Sequence, residues 1–431
     1  MTDTATRDVT AEINAWLEEN WDPDITVGEW WERLGLSGWG TPTWPEEWYG
    51  KGLSRAESVR VGAAIGEFGA LGPPGGLGLL LAGPTIVDHG TPEQIKEYVE
   101  DIVTGRKAWC QLFSEPGAGS DLAGLSCKAV KDGDEWIVTG QKVWTSGGQI
   151  ADMGMLIART DSDVPKHQGI TWFAFDMHQE GVEVRPLREM TGHAMFNEVF
   201  LSEARVPDAA VIGGLHNGWA VANTTLQHER TGLGAGGGNA AGGFASPGTI
   251  VNDLAKRVGD FVSGGGRRGG GGGGGMFGSQ SKLLIDLAKG NGKIKDPSIR
   301  QDLMRLHTAN ELGRMQNLRI KGGDKVPGAA NIAKLSMSNI VRMSRDIGLA
   351  ILGPEGMLHG YTNEQIVSNN EATGNPFGAM VTGTALYAQA PPIYGGTDQV
   401  QKNIIGERVL GLPKEVNNDK TAAFKDLPKN A

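Results

Sequence analysis

Cysteine is nearly missing. Cys110 and Cys127 are the only two in 431 residues, so no disulfide framework and no cysteine-based metal spacing is available, as suits a reducing compartment. An excess of positive charge is missing as well: the formal net charge is −10. That excludes the concentrated basic surface that nucleic acid or an anionic membrane requires, and leaves a small molecule or a protein as the expected partner. No run of 18 apolar residues occurs, and the first residues are polar and acidic rather than built around an apolar signal core. The expectation is a soluble, cytoplasmic protein. Glycine is instead abundant, with 67 residues, about twice the usual share. Much of the excess falls in residues 232–243 and 264–275, which are too glycine-rich for a stable helix and read as a flexible surface insertion.

Hydrophobic periodicity changes twice along the chain. Residues 5–105 carry apolar positions at three- and four-residue spacing, which predicts helices near residues 12–19, 28–34, 55–68 and 92–103. The tryptophans between residues 21 and 48 read as packing for them. From about 107 to 206 the period falls toward two, and short Val-, Ile-, Trp- and Phe-rich segments alternate with turns such as Asp132-Gly133-Asp134. Helical spacing then returns. Residues 218–230 bring Ala222, Leu226 and Glu229 onto one stripe, Asp296-Pro297 caps another helix, and further helices are expected at 329–352 and 398–410, the last capped by Thr397. The tail after Pro413 reads as frayed.

Two loops of the β region have unusual chemistry. Residues 109–121, Trp-Cys-Gln-Leu-Phe-Ser-Glu-Pro-Gly-Ala-Gly-Ser-Asp, run from a short apolar strand through Pro116 and two glycines to a hydroxyl and a carboxylate. The loop is a concave set of backbone donors able to hold a polar cofactor or an anionic substrate. Residues 142–148 place Trp144 before Thr145, Ser146 and two glycines, a combination that suits a flat, hydrogen-bonding heterocycle. Other patterns carry less. Residues 232–237 match Gly-x-Gly-x-x-Gly but follow a helix, with no βαβ unit after them, so the dinucleotide mechanism has no support. His193 and His228 lack ligand-like partners and read as structural or surface residues. Glu229 would ordinarily be a solvated residue at a helix end. Its place on an apolar stripe, however, would raise its pKa toward the range of a general base.

The order helix, β, helix, with Gln111-Leu112-Phe113-Ser114-Glu115-Pro116-Gly117-Ala118-Gly119-Ser120-Asp121, Trp144-Thr145-Ser146 and Ile393-Tyr394-Gly395-Gly396-Thr397-Asp398-Gln399 in sequence, resembles the acyl-CoA dehydrogenase family of flavoproteins. The resemblance implies an α+β fold with an N-terminal helical domain (1–107), a small β-barrel-like middle domain (108–212) and a C-terminal helical bundle (213–431) that holds the glycine-rich insertion 232–278. It implies FAD, with Gln111, Leu112, Phe113, Ser114, Gly119, Ser120, Trp144, Thr145 and Ser146 around the flavin ring, and Thr397, Asp398 and Gln399 also near the cofactor. Gly353 stands where a Gly-Gly pair meets the diphosphate, although here Pro354 replaces the second glycine. Ser120, Arg230 and Gly396 are implied near the acyl-CoA substrate. The Arg-x-x-Phe-Gly signature for the adenosine half is not clear, and Phe277-Gly278 would be its remnant.

One departure is informative. Many family members carry the catalytic glutamate where this chain has Gly395. A minority branch places it on the first helix after the β domain in a Leu-x-x-Glu-Arg pattern, matched here by Leu226-Gln227-His228-Glu229-Arg230. The resemblance therefore implies Glu229 as the base in α,β-dehydrogenation of an acyl-CoA, with electron-transfer flavoprotein or a similar acceptor and a dimeric or tetrameric assembly. A non-catalytic partner subunit and a related flavin oxidase or monooxygenase stay open, as does the acyl group, which could be branched, long or ring-bearing.

Overall fold

In a computed structural model, residues 8–234, 245–262, 273–322, 324–414, 416, 419 and 421–428 are described, and side chains 230–234, 273–280 and 321 are left aside. The helices α1 (Val9–Asn20), α2 (Val27–Leu36), α3 (Arg55–Phe68), α4 (Gly83–His89) and α5 (Pro92–Val103) come first. Their ends follow from local chemistry. Thr26, Ser54 and Thr91 each close a reciprocal capping box with the Glu or Gln three residues on, which satisfies amide groups that the helix itself leaves unpaired. The tryptophans are packing, as expected: Trp30 and Trp31 are buried and donate their indole N–H groups to the carbonyls of Leu71 and Gly72 at 2.7 and 2.8 Å.

The strands β1 (Trp109–Leu112), β2 (Lys128–Asp132), β3 (Glu135–Ser146), β4 (Met153–Arg159), β5 (Ile170–Asp176), β6 (Val182–Leu187), β7 (Phe196–Pro207) and β8 (Val211–Ile212) form one sheet in the order β6-β7-β3-β2-β4-β5-β8, with β1 parallel to β4. Every residue of β4 is buried, because the sheet packs over one continuous core reaching from Leu81 and Val99 to Trp172 and Val221.

The helices α6 (Gly218–Gly234), α7 (Gly273–Gly290), α8 (Pro297–Lys321), α9 (Ala329–Leu352), α10 (Asn363–Thr373), α11 (Gly378–Tyr387) and α12 (Asp398–Ile404) follow. Asp296 and Thr397 cap α8 and α12 as their sequences predict, while α12 ends at Ile404 and continues to Val409 as a wider π turn.

Three expectations need correction. The glycine-rich runs are not wholly non-helical: residues 232–234 complete α6 and residues 273–275 begin α7, and the rest of both runs lies outside the described residues. Between them, residues 245–262 are no loose insertion. Leu254 and Val258 pack into the core of α1–α3, and the amides of Val27 and Gly28 donate to the carbonyls of Lys256 and Leu254, both at 2.9 Å. Burying two aliphatic side chains offsets the entropy of ordering the segment. Nor is the whole tail frayed. Phe424 and Lys425 donate backbone bonds to Val164 and Ser162, and the Phe424 ring lies 3.7 Å from the Arg159 guanidinium. Among the described residues no helix is long and apolar enough to cross a membrane.

Candidate active site

The two unusual loops meet at one end of the sheet. Residues 142–148 were expected to form a loop of the β region. Instead residues 142–146 stay in strand β3, and the pairing with β7 slips by one residue between Lys142 and Thr145. The slip is a β-bulge, and it re-aims the side chains that follow. Trp144 takes a left-handed φ of 63°, unusual for a residue with a side chain. Its ring is 60% exposed, edge-on to Phe196 at 5.9 Å. Thr145 is fully buried, and its hydroxyl has no protein partner.

The 109–121 loop is bonded alongside. The Val143 amide donates to the Ser114 carbonyl at 2.9 Å, and the Lys142 ammonium donates to the Phe113 carbonyl at 3.1 Å. Lys142 also donates to Glu115 Oε1 at 2.8 Å, and the same carboxylate accepts the amides of Ser126 at 2.6 Å and Cys127 at 2.9 Å. This pair is buried, and the sequence motifs give it no role. Its one sequence signal is a lysine on the buried face of an apolar strand. Nearby, Gln111 holds a buried side-chain N–H group without a partner. Leu112 and Phe113 are core residues, whereas Gly119, Ser120 and Ser146 are exposed. The Glu115–Asp121 turn also borders a cavity of about 510 Å³, walled further by Gln141, Lys166 and Phe424.

The C-terminal motif is organised by α9. Asp398 is buried and accepts from Lys334 at 3.0 Å and Arg342 at 2.8 Å. Burial opposes its charge, but the hydrogen bonds from Ser338 and Lys334 and the two cations prevail and hold its pKa below the ordinary aspartate value. Its side chain is thus occupied within the protein, while Gln399 is exposed. Gly395 and Gly396 have left-handed φ values of 61° and 78°, and a Cβ at 396 would fall 2.7 Å from Gln401 Nε2. Beside them the Tyr394 hydroxyl lies 2.6 Å from that of Tyr387, and burial together with this bond pushes its pKa up. Gly353 closes α9 at φ 60°.

Helix α6 packs against β5, α4 and α9. Thr85 donates to Thr225 at 3.1 Å, and His228 lies 3.0 Å from Asp88, so His228 is a surface contact as expected. Glu229 is half-buried. Arg230 lies on α6 with its side chain outside the described residues, as does that of Phe277. Helix α9 therefore supports both α6 and the 393–401 motif. No group of His, Cys, Asp and Glu that could hold a metal occurs among the described residues.

The profiles of the acyl-CoA dehydrogenase N-terminal, middle and C-terminal domains match residues 1–106, 110–203 and 285–410. Acyl-CoA dehydrogenase IpdE1 of Mycobacterium tuberculosis is 33% identical over 390 residues, which is 90% of this chain and 88% of that protein. Acyl-CoA dehydrogenase FadE34 of the same organism is 35% identical over 381 residues; these cover 86% of this chain, which spans only 44% of FadE34's length. Among solved structures, the Tcur3481-Tcur3483 steroid acyl-CoA dehydrogenase superposes with a TM-score of 0.67 at 25% identity, covering 95% of this chain and 97% of the other. With all three domains matched in order, the chain belongs to the acyl-CoA dehydrogenase family, oxidoreductases that act on a CH–CH bond.

Proposed function

We propose that this chain carries out FAD-dependent α,β-dehydrogenation of an acyl-CoA whose acyl group is bulky and ring-bearing, with Glu229 as the base. The observation that carries the assignment of the base is the pairing of Gly395 with Glu229. Position 395 has no side chain and holds φ 61°, a geometry that a glutamate would adopt only with strain of about 1–2 kcal/mol. A carboxylate meanwhile stands half-buried on α6. A thioester α-proton is weakly acidic, so it has to meet a base held within reach and aligned with it. Glu229 would take that proton. Arg230 would steady the substrate or the helix end, and Gly396 and Ser120 would line the thioester.

The residues present fit a flavin. The unpartnered N–H of Gln111 and hydroxyl of Thr145 are buried polar groups of the kind that normally find a partner, and both lie at the loop pair where the ring would rest. Leu112, Phe113, Ser114, Gly119, Trp144 and Ser146 would complete that wall, with Thr397, Asp398 and Gln399 at its C-terminal side and Gly353 toward the diphosphate. When bound, FAD accepts the hydride from the β-carbon.

The bulky substrate is supported by the absence of a side chain at 395 and by the steroid-acting neighbour at 25% identity. The domain bounds 1–107, 108–212 and 213–431 go with this reading, as do electron-transfer flavoprotein or a similar acceptor and a dimer or tetramer. The exposed Leu312, Met315 and Leu318 of α8 offer an apolar face for such an assembly. The deciding experiment is Glu229→Gln. The variant is expected to keep yellow flavin and to lose bleaching on anaerobic addition of acyl-CoA thioesters, including one with a steroid-sized acyl group. Bleaching at the parent rate would remove Glu229 from the role.

A further inference from the structure

We infer that the Lys142–Glu115 ion pair is a positioning device that sets the direction of the Phe113–Ser114 peptide, and through it the wall against which the flavin ring rests. The inference rests on the flavin placement proposed above. Lys142 is fully buried and Glu115 is 8% exposed, and although the Ser126 and Cys127 amides need an acceptor there, a neutral one would serve them. An apolar pair of similar volume would fill the space without the desolvation penalty of two ions, and such replacements are often neutral or stabilising. What an apolar pair could not do is grip a carbonyl.

The Lys142 ammonium donates to the Phe113 carbonyl at 3.1 Å. Because a peptide unit is planar and trans, holding that carbonyl on one side aims the Ser114 N–H to the opposite side. The next carbonyl, of Ser114, is held by the Val143 amide at 2.9 Å. Two successive carbonyls are therefore fixed by neighbours in β3, directly before the bulge that presents Trp144 and Thr145. The Glu115 carboxylate keeps the ammonium in place and is itself saturated by Lys142 and the Ser126 and Cys127 amides. The salt bridge thus ties the first loop to β3, and the same carboxylate ties it to the Ser126–Cys127 backbone just before β2. Each loop's polar groups are then held at a fixed offset from the other's, which is what a rigid planar ligand demands.

The test is the double variant Lys142→Met with Glu115→Gln, beside Lys142→Arg and Thr145→Ala. The double variant leaves no buried charge and keeps a side-chain oxygen for the backbone amides, so its melting temperature is expected near that of the parent. Its flavin absorption bands should nevertheless shift, amide hydrogen exchange at residues 113 and 114 should quicken in the apoprotein, and kcat should fall roughly ten- to a hundredfold. Lys142→Arg, which can still donate to both oxygens, should recover at least part of the spectrum and rate. A double variant with parent melting temperature, spectrum, exchange and kcat would overturn the inference and leave the pair merely structural. Thr145→Ala separates that failure from failure of the flavin placement. If Thr145→Ala leaves the flavin spectrum unchanged, the placement itself is wrong; if it moves the spectrum while the double variant does not, only the positioning role falls.

Discussion

Each of the two polar motifs proposed to face the flavin is anchored by an ion pair, and the anchors differ in how dry they are. Under the sheet loops, Lys142 is 0% exposed and Glu115 8%, and the carboxylate's other partners are backbone amides. Under the 393–401 motif, Asp398 is 8% exposed and shares its charge between Lys334 at 11% and Arg342 at 41%. A buried pair with one charged partner apiece is an all-or-none anchor, because losing one member leaves the other's charge unbalanced. A shared pair with one wet partner can relax. The sheet anchor is therefore the more rigid of the two and the C-terminal anchor the more adjustable.

Breaking the dry anchor should have the largest effect. Lys142→Ala leaves the Glu115 carboxylate buried, and chemical unfolding is expected to show a loss of about 3–5 kcal/mol. Asp398→Ala should cost less, about 2 kcal/mol, since Arg342 can turn to solvent and only Lys334 is left short of a partner. Equal losses from the two substitutions would erase the distinction between the two anchors. Acid sharpens it further. Asp398 has a depressed pKa in the folded protein, so its contribution is fully present above the unfolded value of about 3.9 and disappears as pH falls through the lower folded value. Melts between pH 6 and 3 should show a decline starting near pH 4 that is absent from Asp398→Asn. The smallest effect should come from Thr397→Ala, which removes the bond from the Val400 amide and should cost about 1 kcal/mol, with the sheet loops untouched in hydrogen exchange.

Legibility in the sequence followed the range of the interactions. Helices α3, α5 and α9 begin and end where apolar spacing and caps place them, because those signals act within four residues. The three motifs were readable for the same reason, each being a contiguous run. The Lys142–Glu115 pair was not, since the partners are 27 residues apart and neither is unusual alone. Residues 245–262 were hidden by composition: glycine on both sides suggested slack, while Leu254 and Val258 find their partners on α1–α3, more than 180 residues earlier in the chain. The tail was misread likewise, its anchor being Arg159 and the strand-end loop at 162–164.

By itself, then, the sequence determined the helix–β–helix order, the family, and the two positions, Gly395 and Glu229, on which the proposed assignment of the base rests. Periodicity and contiguous motifs encode all three locally. Only the tertiary structure decided that Thr145 and the Gln111 N–H group are buried without partners, that a bulge turns Trp144 outward, and that a dry ion pair holds the two loops together. Burial and ion pairing are set by segments far apart in the chain, and no local pattern specifies which distant residue will exclude the water.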